Sequence, residues 1–136
     1  LLAFVVLDLG EPAQSYSDGY TNLAGRTMFV RADPTRFDAP WAAIAKLGIT
    51  ETDAIEAAHA AGLLLATNVC GADEDPVDCQ TQADAAMAAG FHMLEDDFPA
   101  PVRGRDYWLD LPGGNPARCN PVTAPARCTA EALEDL

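Results

Sequence analysis

Residues Cys79–Pro99 read CQTQADAAMAAGFHMLEDDFP, an alanine-rich helical run stopped at Gly90 and followed by a short apolar strand, Phe91–Leu94. Asp78 or Thr81 is placed to cap that helix, and Gly90 stands where a left-handed residue closes one. The strand ends in three carboxylates, Glu95, Asp96 and Asp97. Residues Glu51–Asn68, ETDAIEAAHAAGLLLATN, repeat the arrangement: Thr50 with Asp53 predicts a capping box, Gly62 a stop, and Leu63–Thr67 a strand. AHAAGLLLATN and AMAAGFHMLED are thus two copies of one helix-to-buried-strand unit.

Outward from these copies the same logic extends toward the N-terminus. Leu2–Asp8, LAFVVLD, is a continuous apolar run that predicts a strand buried on both faces. Glu11–Gly25 reads as loop, and Arg26–Ala32 as a second strand ended by Asp33-Pro34. Asp38 followed by Pro40 predicts a helix that closes at Gly48. Four buried strands alternating with helices or long connections define an α/β class with a parallel sheet. Polar residues stand at each strand's C-terminal end: Asp8; Arg31 and Asp33; Thr67 and Asn68; Glu95 to Asp97. In parallel α/β folds that is the edge where ligands bind. From Ala100 the chain turns rich in Pro and Gly, with one strand-like piece, Tyr107–Leu111, and a helix start at Thr129–Leu136.

The 136 residues suffice for one domain with a moderate core, and 49% hydrophobic with 21% charged residues is a globular composition. Twenty-one acids against eight bases give a net charge of −13, which disfavours nucleic acid as a partner. No run approaches the roughly 20 apolar residues that cross a bilayer. Leu1–Leu7 lacks the basic region and cleavage site of a signal peptide. The chain opens without methionine, directly in a core strand, so further sequence upstream is expected. Cys70, Cys79, Cys119 and Cys128 lack the C-x-x-C spacing of a zinc site. Two local disulfides are the favoured reading among three connectivities, and they point to a secreted or periplasmic protein.

Dinucleotide, P-loop, nucleophile-elbow and zincin motifs are absent from the sequence. His59 and His92, without sequence-adjacent partners, read as packing or surface histidines. The acidic loop Gly71–Asp78 lacks the central glycine and closing glutamate of an EF-hand and reads as solvated. Glu95 to Asp97 carry a stronger signal, because a cation or an arginine would relieve the repulsion between adjacent carboxylates.

The tail LPGGNPARCNPVTAPARC, Leu111–Cys128, resembles the ending of the bacterial calcium-dependent phosphoinositide phospholipase C-like family. LAGRTMFV (Leu23–Val30) is similar to that family's L-x-G-R-x-M-F-V strand. AAGLLLATNVCGADED (Ala60–Asp75) and AAMAAGFHMLEDDFP (Ala85–Pro99) resemble two further segments in the same order. Two departures stand out: Ala66-Thr67-Asn68 replaces Arg-Thr-Arg, and Glu95-Asp96-Asp97-Phe98 replaces Ser-Thr-Asp-Tyr, which keeps the Asp97 position.

The resemblance implies the C-terminal half of a TIM-type barrel. Residues 1–99 would supply its last four strand units and 100–136 a cap pinned by Cys119–Cys128, together one partial domain. It implies Ca2+ as cofactor and a phosphodiester or phosphoinositide lipid as substrate. The acid and base histidines and most calcium ligands would lie in an N-terminal half that must complete the barrel. What these residues would add is rim polarity from Asp8, Thr67 and Asp97, with Asp97 and Asp8 as candidate metal ligands. This chain alone is expected to be inactive. The rival readings are a glycerophosphodiester phosphodiesterase barrel and a non-catalytic acidic calcium-binding or scaffold module.

Overall fold

The computed structural model describes residues 5–112 and 117–134. The chain divides into two units, Leu1–Ala66 and Thr67–Leu136, each described in its own frame.

The first unit holds β1 (Val6–Leu7), α1 (Glu11–Ser17), β2 (Phe29–Val30), a 3-10 turn (Pro34–Arg36), β3 (Ile44–Lys46), α2 (Thr52–Ala60) and the start of β4 (Leu64–Cys70). β1 pairs in parallel with β2 and β3 with β4, and a parallel bridge joins Arg31 to Ile44. Residues in register across a parallel ladder point to the same side of the sheet. One face therefore carries Leu7, Val30, Ala45 and Leu65, the last three buried. The opposite face carries Val6, Phe29, Ile44 and Leu64, and there Val6 is 36%, Phe29 40% and Leu64 37% exposed. Burial on both faces of the first strand, expected from its apolar run, holds for neither Val5 nor Val6. Leu2–Phe4 of that expected strand lie outside the described residues.

Two expectations fail in this unit. The helix from Asp38 to Gly48 is instead a turn followed by β3. Three residues suffice for a strand here because both neighbours bond to its backbone. Ala32 N–H donates to Ile44 O (2.8 Å), Leu64 N–H to Ala43 O (2.8 Å) and Leu47 N–H to Ala66 O (3.0 Å). Those tertiary bonds outweigh alanine's helix propensity. Conversely, Glu11–Ser17, read as loop, forms α1 with Pro12 in its first turn, where a missing N–H costs nothing. The described residues therefore contain five strands, where four are expected.

The second unit holds the rest of β4, α3 (Pro76–Ala88), β5 (Met93–Asp96) and α4 (Ala130–Glu134). α3 is capped three residues before Asp78, the first of its two expected caps: Asp75 accepts from Val77 N–H (2.8 Å) and Pro76 takes the first turn. Its buried stripe is Cys79, Ala83, Ala86 and Met87, the spacing of one helical face. The two glycine stops are realised identically. Gly62 and Gly90 have φ of 74° and 77°, and the next residue reaches back to close the helix. Leu63 N–H donates to Ala58 O (3.0 Å) and Phe91 N–H to Ala86 O (3.1 Å), the Schellman pattern. The N-terminus of α2 departs from its copy: Glu51 occupies the cap position with no side-chain cap bond, so the Thr50–Asp53 box does not form.

The local disulfides form, Cys70–Cys79 beneath α3 and Cys119–Cys128 in the tail. Tyr107–Leu111, expected to be strand-like, forms no named strand; Leu109 N–H donates to Phe98 O (2.8 Å). Residues 113–116 of the family-like tail and 135–136 of the expected last helix lie outside the described residues. The described strands form no closed barrel. No described helix is long and apolar enough to cross a membrane.

Candidate functional site

The two-residue period of the first unit's partly exposed face places charge at its C-terminal end. Two positions beyond Val6, Phe29 and Ile44 stand Asp8, Arg31 and Lys46. Arg31 donates from Nη1 to Asp8 Oδ1 (2.7 Å) and from Nη2 to the Lys46 carbonyl (2.9 Å), so one guanidinium ties three successive strand ends together. Its buried Nε has no hydrogen-bond partner among the described residues. Arg31's hydrogen bond holds the Asp8 carboxyl below its ordinary range, aided by Leu9 N–H and by the charges of Arg31 and Lys46. Beside this rim a cleft of about 180 Å3 is lined by Gln14, Ser17, Arg31, Asp33, Arg36 and Trp41, among others. Asp33, read as rim polarity, works as a cap: it accepts from Thr35 N–H (2.9 Å), and the Thr35 hydroxyl holds its carboxyl low.

In the second unit the predicted residues have different fates. β4 runs on to Cys70, so Thr67 is not at the strand end; it is buried mid-strand, its hydroxyl 3.3 Å from Asn68 O. Asp97 is exposed, and its N–H donates to Cys70 O (3.2 Å). The carboxylate that the fold grips is its neighbour. Asp96 accepts from Phe98 N–H (2.6 Å) and from the buried Tyr107 hydroxyl (2.6 Å). Burial, then the Asp96 bond and charge, push the Tyr107 phenol well above its ordinary value. His92 reaches Thr123 Oγ1 (3.0 Å) from its Nε2, which fits a packing role.

A calcium ion needs six to eight oxygen ligands. Among the described residues one group of three or more His, Cys, Asp and Glu ligand atoms comes within mutual reach: Cys70, Glu74 and Cys79. Both its sulfurs are spent in a disulfide and are not thiolate ligands. Asp8 is neutralised by Arg31, and neither Asp8 nor Asp97 belongs to such a group. What the first unit does assemble is a charged junction in which Arg31, paired with Asp8, bonds to the Lys46 carbonyl at the ends of three strands. Lys46 is not among the expected rim residues because its segment reads as a helix from sequence; the two-residue step beyond Ile44 is the signal for it.

Parallel strands in sequential order, with helices between them, define an α/β protein. The family model for Ca2+-dependent phosphoinositide phospholipase C matches residues 2–121, and the chain belongs to that family. No curated protein and no solved structure gives a significant match to it.

Proposed function

We propose that this chain is the C-terminal half of a secreted phosphodiesterase barrel that cleaves phosphoinositides, and that Arg31 with Lys46 holds the substrate's phosphate at the rim. The observation that carries this reading is the Asp8–Arg31–Lys46 junction at the end of a sheet face whose apolar residues stand exposed. A guanidinium fixed by a carboxylate and a carbonyl presents its remaining donors in a set direction, which suits phosphate oxygens. The exposed Val6, Phe29 and Leu64 are what a barrel lining would show before its other strands cover it. On this reading, which the family resemblance supports, the acid–base histidines and most calcium ligands would lie in the other half. The two local disulfides suit an exported protein.

The test has two arms. Inositol 1-phosphate titrated into the 15N-labelled chain should shift Arg31 and Lys46 resonances, and Arg31→Ala should abolish those shifts. The isolated chain should release no inositol phosphate from phosphatidylinositol. Turnover that persists in chelator would overturn the half-barrel reading, and unchanged binding in Arg31→Ala would overturn the assigned rim.

A further inference from the structure

In the second unit, α3 and residues 106–110 after β5 flank an open groove of about 560 Å3. Asp106, Tyr107, Trp108 and Asp110 line the groove, while Leu109 and Leu111 line a separate cavity. The facing wall is the first turns of α3, where Val77 is 72% exposed; Trp108 is 40% exposed. Among the described residues no basic side chain lines the groove. Arg105, adjacent in sequence to Asp106, donates to Glu74 O (2.7 Å) and stacks 3.9 Å from the Phe98 ring centroid.

We propose that this groove binds a quaternary ammonium group, with Trp108 as the aromatic face and Asp106 and Asp110 as flanking counter-charges. An aromatic face attracts a cation through its quadrupole, and two carboxylates add long-range attraction. Val77 and Pro76 offer apolar contact to N-methyl groups. A primary ammonium is strongly hydrated and would give up its water for little in such a wall. Choline chemistry fits all three features, whether from a lipid headgroup or a soluble amine. The site is independent of the phosphate rim, so either assignment can fail without the other.

The experiment uses the full chain carrying Trp41→Phe, so that emission reports Trp108 alone. Choline should give a saturable change in fluorescence at constant ionic strength, and the neutral isostere 3,3-dimethylbutan-1-ol and ammonium chloride should bind several-fold more weakly. Trp108→Leu is followed by NMR instead and should weaken choline binding roughly 2- to 30-fold, whereas Trp108→Phe should retain most of it. The surface pair Asp106→Asn with Asp110→Asn should weaken it comparably. Equal binding of the neutral isostere, no effect of the double asparagine variant, or displacement by millimolar calcium would each overturn the proposal. Binding to phosphatidylcholine but not phosphatidylglycerol vesicles supports it with a lipid source; binding of free choline without vesicle binding supports it with a soluble one.

Discussion

Arg31 and Asp8 meet at 2.7 Å across the ends of two neighbouring parallel strands, twenty-three residues apart in sequence. The pair fixes where the guanidinium points. It also gives Asp8 a titration that can be watched.

Asp8 should titrate below the ordinary aspartate value of about 3.9, and Arg31→Gln should return it there. Because its folded pKa is lowered, its contribution to stability is present above the unfolded value and fades as the pH falls through the folded one. The carboxylate is exposed, so that contribution should stay below about 1 kcal/mol. Carboxyl chemical shifts followed by NMR between pH 2 and 6 check both statements. An unshifted Asp8 would contradict the pairing.

Tyr107 links the tail to β5 through Asp96. Tyr107→Phe removes a hydrogen bond to a carboxylate and should cost about 1.5–3 kcal/mol in urea unfolding. The phenol's folded pKa is raised, so its stabilisation is complete below the unfolded value of about 10 and is lost as the pH climbs beyond it. Melting temperature in the wild-type chain should therefore fall more steeply above pH 10 than in Tyr107→Phe.

The two glycine stops share a backbone conformation but not their surroundings. A Cβ on Gly62 would meet nothing within 4 Å, whereas one on Gly90 would lie 2.6 Å from Val122 Cγ2 and 2.8 Å from its Cβ. Gly62→Ala should cost about 1–2 kcal/mol, the left-handed penalty alone. Gly90→Ala should cost visibly more, because the Val122 turn must move and the Asn120 bond to Gly90 O (2.6 Å) moves with it. Equal losses in chemical denaturation would show that the tail does not pack there.

Val6 and Phe29 are exposed neighbours in register on the open sheet face. Such apolar surface promotes association. Sedimentation velocity should show self-association of the wild-type chain, reduced by Phe29→Lys. A sharp monomer in the wild type would argue against the half-barrel reading.

Much of this protein was legible in its residues. The twin helix–glycine–strand units, the parallel α/β class, the local cysteine pairs and the family all follow from short-range pattern, because caps, glycine stops and strand runs are encoded within a few residues. Three outcomes were decided elsewhere. Ile44–Lys46 became a strand because Ala32 and β4 bond to the backbone of this segment. Asp96 rather than Asp97 was gripped because Tyr107 folds back onto it. Arg31, Asp8 and Lys46 converge because parallel register aligns three strand ends. Local sequence specifies which residues end a strand; only the pairing of distant strands specifies which of those ends stand side by side, since the bonds that align them join residues far apart in the chain.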